Sequence, residues 1–325
     1  MNNSLNRRAF IQGTMGAGAG VALAAASPGV AEATDAGTKY GFQNGFSPWP
    51  LSLNTSTIRP ATLEVKIDAA AEAGYDAIEI WERELKEHED NGGNLKELAK
   101  SIRDKGLFVP NVIGMWDGMP ATREEFDASL EVSRNRMRMA ADVGSQHIAA
   151  LPFPDREDFD LAWGAEMYRE LLRIGREDYN IIAAQEYIGF VKGVHRLGQA
   201  CAIGIDANDP DACLVADTFH LYRGGSGFNG IQHLNGNFFA VFHWNDVGPE
   251  KPREEVGDAD RLYPGDGILP LVDALRSLYI IGYRGPLSLE LFNRAHWEQD
   301  PKQVAKTGLE RLRANVAETL GALNA

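Results

Sequence analysis

Two cysteines, Cys201 and Cys213, are all that 325 residues provide. Two thiols build neither a disulfide framework nor a thiolate zinc centre. They read as small core hydrophobes, with a single disulfide as the option in an oxidising compartment. Basic charge is also short: 32 Lys and Arg stand against 46 Asp and Glu, a formal net charge of −14. A nucleic-acid partner needs a basic face for its phosphates, so that class is excluded. No apolar run reaches the ~20 residues of a membrane span, and no Pro- or Ser-rich linker divides the chain. What is present, 44% apolar and 24% charged residues, is the composition of a soluble globular protein.

The N-terminus carries Arg7-Arg8-Ala9-Phe10, a Gly/Ala-rich apolar run over Met15–Ala26, and Ala31-Glu32-Ala33. Basic, apolar and small-residue segments in that order form a secretory signal, and the paired arginines before Phe10 resemble a twin-arginine (Tat) signal. Residues 1–33 are therefore expected to be a Tat-type signal peptide. Residues 34–325 are the expected mature domain, periplasmic or secreted and free of the membrane after cleavage. The Gly16-Ala17-Gly18-Ala19-Gly20 stretch has no strand before it, so it is not a dinucleotide loop.

From Lys39 onward a strand–helix phrase repeats. Helices are expected at Leu63–Ala73, Leu95–Lys105, Arg123–Val143, Leu161–Arg176 and Ile268–Leu278, several ending at a glycine. Apolar strands begin near Tyr40, Ala77, Leu107, His147, Ile181, Ala212, Phe238 and Pro286. Their mean spacing is about 35 residues, one βα unit. Eight such units predict an α/β fold, a (β/α)8 TIM barrel. The stretch Gly248–Asp266 is expected to loop over the active-site face.

In such a barrel the chemistry sits at the C-terminal ends of the strands. Four late strands end in a group that an apolar barrel would not otherwise choose: Glu186, Asp217, His243 and Glu290. Neighbouring strands lie ~4.8 Å apart, so the four can meet. Three buried carboxylates need compensation, and a divalent cation supplies it: one ion, Mn²⁺ foremost, with Mg²⁺, Co²⁺ or Zn²⁺ as alternatives. His220, three residues past Asp217, can face the same pocket. Asn245 and Asp246 can bind hydroxyls or orient a ligand. Arg253 and Arg261 of the long loop can hold an anionic or polyhydroxyl substrate, and Trp81 can stack on a sugar ring. His88, His147, His195, His233 and His296 show no partner pattern.

At Val215-Ala216-Asp217-Thr218-Phe219-His220, Phe242-His243-Trp244-Asn245-Asp246, Arg261–Gly267 and Gly282–Glu290 the chain resembles the xylose isomerase-like TIM-barrel superfamily, in its sugar phosphate isomerase/epimerase branch. The resemblance implies that Glu186, Asp217, His243 and Glu290 hold one divalent metal. It also implies that Glu186 and Glu290 flank the substrate as acid and base, and that His220 and a loop arginine bind it. Ketohexose 3-epimerases of this group carry a second Glu where this chain has Lys192.

The expected activity is isomerisation or epimerisation of a sugar or keto-sugar by proton transfer through an enediolate. The partner is a small molecule, and a homo-oligomer is the expected assembly. The same enediolate would serve a lyase that β-eliminates the aglycone of a 3-keto-glycoside. A non-enzymatic periplasmic sugar-binding barrel is the rival from another class.

Overall fold

The strands run in chain order as β1 (Leu51–Asn54), β2 (Ala77–Trp81), β3 (Asn111–Met115), β4 (His147–Ala150), β5 (Ile182–Glu186), β6 (Leu214–Asp217) and β7 (Phe239–His243). The two-residue β8 (Asp246–Val247) and β9 (Arg261–Leu262) follow, then β10 (Leu287–Leu289). The helices are α1 (Leu63–Ala73), α2 (Glu82–Asp90), α3 (Leu95–Asp104), α4 (Arg123–Asp142), α5 (Leu161–Ile174), α6 (Leu197–Asp206), α7 (Thr218–Arg223), α8 (Leu271–Ile280), α9 (Arg294–Trp297) and α10 (Pro301–Leu323). These elements come from a computed structural model that describes residues 40–152 and 155–324. The signal-peptide reading of residues 1–33 lies outside the described residues.

The eight longer strands are parallel and close into a barrel in the order β1-β10-β7-β6-β5-β4-β3-β2. This is the expected TIM barrel. Local signals build its units. Thr62 caps α1 by accepting the Val65 N–H at 3.4 Å. Gly74, at φ 93°, ends α1 by donating its N–H to the Ala70 and Ala71 carbonyls, a left-handed turn in which a Cβ would be strained. Thr122 and Glu125 form a capping box at the start of α4.

Side chains alternate across each strand. Leu51, Leu53, Ile78, Ile80 and Val112 join the large apolar core that the helices cover. Trp81, Ile113, Ala149, Leu151 and Val215 form a smaller cluster. Each large apolar side chain buried this way contributes about 1.5–3 kcal/mol.

Two strand expectations are corrected. The first strand is Leu51–Asn54, not Tyr40–Gln43. Gln43 and Asn44 take positive φ (52° and 57°) in a single turn, and the Gln43 amide donates to Asp76 Oδ2 at 2.7 Å and to the Gly74 carbonyl at 3.1 Å. Those tertiary bonds override a run whose strand propensity is local only. The third strand begins at Asn111, not Leu107, because Pro110 has no N–H for the ladder; upstream, only a single bridge joins Phe108 to Ala77. Helices α2, α6, α7, α9 and α10 were not anticipated.

Cys201 and Cys213 are free thiols. Burial pushes them up to about 11 and about 12, which leaves about one part in a thousand or less as reactive thiolate at pH 8. Native protein should therefore resist iodoacetamide at pH 8 and be alkylated only after unfolding. Rapid labelling of Cys213 in mass spectra would contradict the sealed packing of β6.

Candidate functional site

The pairing register places the four strand-end groups together. Asp217 lies opposite His243 across β6 and β7, and Ser288, two residues before Glu290, lies opposite His243 across β10 and β7. All four side chains are buried. His243 Nδ1 has carboxylate oxygens of Glu290, Glu186 and Asp217 at 3.1, 3.5 and 3.7 Å, yet hydrogen-bonds to none of them.

The other ring nitrogen explains the orientation. His243 Nε2 lies 3.1 Å from Glu79 Oε1, so in the neutral ring that a metal requires, the proton sits on Nε2 facing Glu79 and the Nδ1 lone pair faces the three acids. Glu79, inside β2, is fully buried. It also accepts from Asn111 Nδ2 at 2.7 Å, Asn54 Nδ2 at 2.8 Å and Ser288 Oγ at 2.7 Å. Burial disfavours its charge, but His243, Asn111 and Ser288 outweigh burial and hold Glu79 below the ordinary carboxylate range. A carboxylate that fixes the tautomer and tilt of a histidine is the usual outer support of a metal ligand.

The electrostatics of the ring agree. Burial pushes Glu186 up to about 7, and Glu290 and Asp217 reinforce it against His243. Burial alone would lower His243, but Glu290 and Glu79, with Asp217 and Glu186, raise it well above its ordinary value. The ring of acids thus demands positive charge. The orphaned Nδ1 and the oxygen-rich donor set fit a divalent cation held by Glu186, Asp217, His243 and Glu290. Two trios, Glu186–Asp217–His220 and Asp217–His243–Glu290, have ligand atoms within 4.8 Å of one another.

Arg261 reaches this ring from the long loop. The β8–β9 ladder pairs Asp246 with Leu262 and Val247 with Arg261. The guanidinium donates to Asp217 Oδ2 at 2.6 Å, Glu290 Oε2 at 2.9 Å and Asp258 Oδ1 at 2.8 Å, and lies over Phe219, 4.5 Å from its centroid. Burial disfavours the Asp217 charge, but Arg261, His220 and His243 hold that carboxyl well below the usual range. Burial likewise pushes His220 down to about 4. Its Nδ1 accepts the Gly189 N–H at 3.1 Å, so a neutral ring turns its Nε2–H to the pocket.

Of these groups, Glu186, Glu290, His220, Arg261 and Asp258 form one wall of a cavity of about 220 Å³. The other wall is apolar. Trp81 stacks on Trp116 at 5.3 Å, and Phe292 meets Trp81 edge-on at 5.8 Å.

Two substrate-binding expectations, Arg253 and Asp246, are corrected, and Asn245 takes the orienting one of its two expected roles. Arg253 is surface-exposed and ion-pairs with its neighbour Glu254, because the loop turns it away before β9 begins. Asn245 holds Asp217, donating to Oδ1 at 3.0 Å, and bonds Thr218. Asp246 ties the loop down, accepting from the backbone N–H groups of Val247, Gly265, Gly267 and Leu269 at 2.9–3.1 Å. Neither Asn245 nor Asp246 lines the cavity. His220, Arg261 and Trp81 do. Glu79, Asn111 and Asp258 were not anticipated. A charge inside Ala77-Ile78-Glu79-Ile80-Trp81 was the available signal for Glu79; Asp258 carried none.

A closed (β/α)8 barrel with an acid–imidazole ring at its C-terminal mouth defines a class of small-molecule enzymes. The chain belongs to the xylose isomerase-like TIM barrel family, whose sequence profile matches residues 67–315. The inosose isomerase of Bacillus velezensis is 25% identical over 281 residues, 81% of this chain and 95% of that protein. The 3-dehydroshikimate dehydratase of Pseudomonas aeruginosa is 27% identical over 261 residues, 77% of this chain and 39% of that protein. Among solved structures, the IolI protein with a bound zinc atom matches with a TM-score of 0.76 at 22% identity, over 83% of this chain and 99% of that one. A D-psicose 3-epimerase matches with a TM-score of 0.67 at 18% identity, over 82% and 99%.

Proposed function

We propose that this protein is a divalent-metal-dependent isomerase or epimerase of a sugar or keto-sugar. The observation that carries the reading is His243 Nδ1: buried, unpaired, ringed by three carboxylates, with its tautomer fixed by Glu79. The relatives named isomerase and epimerase support the reaction class.

When bound, the cation supplies fixed positive charge for substrate oxygens that become negative during enolisation. Every other role belongs to the chain. Arg261, from the loop, and the His220 Nε2–H, from α7, would donate to the same oxygens. The Trp81–Trp116 wall takes the C–H face of the substrate and excludes water. One of Glu186 and Glu290 removes the proton on carbon. The other returns a proton, to the opposite face for epimerisation or to the neighbouring carbon for isomerisation.

A lyase that eliminates a leaving group β to a carbonyl is the second reading, with a 3-keto-glycoside as substrate. It is favoured by the likeness to a dehydratase and by Lys192 at a position where ketohexose 3-epimerases carry Glu. Export by the twin-arginine route, read from Arg7-Arg8 and residues 1–33, belongs to the same proposal.

The deciding experiment offers a free ketose and a 3-keto-glycoside in parallel to protein stripped with EDTA and then reloaded with Mn²⁺. Turnover should vanish on stripping and return on reloading. The reloaded protein should also melt higher, since a ligand at 100 times its dissociation constant adds about 2.7 kcal/mol. Chelator-insensitive turnover would refute the metal dependence. Release of aglycone without epimerised ketose would select the lyase.

A further inference from the structure

Arginines in this acidic chain are commonly neutralised: Arg123, Arg138 and Arg176 each meet two carboxylates. Two at the barrel mouth are left out. Arg59 follows the turn after β1 and Arg83 is the second residue of α2, so both stand on the C-terminal rim. Their guanidinium carbons lie 5.5 and 4.4 Å from the centre of the Trp81 ring. Arg59 also lies 5.7 Å from Phe292. Both aromatic rings line the active-site cavity.

The acids that flank Arg83 in sequence are already engaged. Glu82 faces Arg136 at 3.6 Å. Glu84 binds Lys66 and Thr55 at 2.5 Å and accepts the Trp81 N–H at 3.0 Å. Among the described residues no side chain hydrogen-bonds or ion-pairs with either guanidinium. Burial and then the charge of Arg59 push Arg83 below its ordinary value. Beside them opens a second hollow of about 430 Å³, to which Lys66 and His88 contribute. Of the carboxylates on its wall, Glu84 is engaged as above and Glu64 faces His88 at 3.8 Å, which leaves Glu87.

Like charges kept adjacent on an aromatic support, with their donors unused, are a preformed receptor for an oxyanion. The ring steadies the guanidinium planes without neutralising them, and the free forks match carboxylate or phosphate bidentately. We propose that Arg59 and Arg83 form an anion-binding subsite on the rim of the active-site cavity, taking a carboxylate or a phosphate monoester. The anion is either borne by the substrate, which rests on the reading of the cavity as a sugar site, or a free anion bound beside it.

Calorimetric titration of metal-loaded, full-length protein tests this with inorganic phosphate, glucose, glucuronate and glucose 6-phosphate. Wild type is compared with the double variant Arg59→Gln plus Arg83→Gln and with the double Lys variant. A substrate-borne anion predicts that the charged sugars bind wild type about tenfold or more tighter than glucose, that the Gln pair erases the gap, and that the Lys pair restores part of it. A free anion predicts that inorganic phosphate loses about tenfold or more in the Gln pair while the sugars stay level. If neither phosphate nor the charged sugars distinguish wild type from the Gln pair, the subsite is refuted. If metal-loaded wild type turns over neither a ketose nor a 3-keto-glycoside yet keeps this anion response, the proposed reaction is overturned and the subsite stands.

Discussion

Glu290→Gln should lower kcat by about 10³-fold or more while leaving the barrel folded. Glu290 sits one residue beyond β10, where its Oε2 faces both Arg261 and His243 Nδ1. The amide keeps the shape but loses the charge that draws the cation and the basicity that takes or returns a proton. Stability should move the other way. In the metal-free protein Glu186, Asp217 and Glu290 crowd one imidazole, and neutralising one of them relieves repulsion. Arg261 keeps Asp217 and Asp258 as partners. The melting temperature of the stripped variant should therefore equal or exceed that of stripped wild type, the trade expected when a functional site stores unfavourable charge. Circular dichroism melts and turnover on the same preparations check both halves. Wild-type rates in the variant would remove Glu290 from the mechanism, and a collapsed melt would make it structural.

The four metal-site candidates were readable because each closes an apolar strand with a group that needs a reason to be buried. All four fall at the ends of adjacent barrel strands, β5, β6, β7 and β10, and the sequence spacing between them is about that of one βα unit. Arg261 was half readable. It and Arg253 share one loop and the same composition, and only the pairing of Val247 with Arg261 sends one side chain inward and leaves the other with Glu254. That pairing is tertiary and has no local signature. Asp246 failed for a related reason, whereas Asn245 takes the orienting role and holds Asp217. Polar residues after a strand suit a substrate as well as they suit the loop itself, and here Asp246 is consumed by four backbone N–H groups. The first strand was misplaced because Leu51-Ser52-Leu53-Asn54 puts polar side chains inside the barrel, where a search for apolar runs does not look.

Glu79 belongs to that polar interior, and its replacement is expected to act at a distance from any substrate. Both oxygens of Glu79 receive two donors: Asn111 and His243 at Oε1, Asn54 and Ser288 at Oε2. In Glu79→Gln one oxygen becomes an amide group that faces donors. Placed at the Oε2 position, it would require Asn54 to flip, breaking the bonds its Oδ1 accepts from Trp81 Nε1 at 2.9 Å and Ser56 N–H at 3.0 Å. Placed at the Oε1 position, it meets Asn111, whose Oδ1 has no partner and can turn to accept, and His243, whose ring can change tautomer. The second arrangement costs less. It moves the proton of His243 from Nε2 to Nδ1 and so closes the lone pair that faces Glu186, Asp217 and Glu290. The expected result is a fall in divalent-metal affinity of about 10- to 100-fold, with a stability loss of about 1–3 kcal/mol for the strained polar cluster. Metal titration should show the first and denaturant unfolding of the stripped protein the second. Glu79→Ala should lose more stability, because four buried donors are left without an acceptor, but should leave the tautomer free and harm metal affinity less per kcal/mol lost. If Glu79→Gln binds metal as wild type does, the tautomer is not what Glu79 controls, and the orphaned Nδ1 needs another explanation.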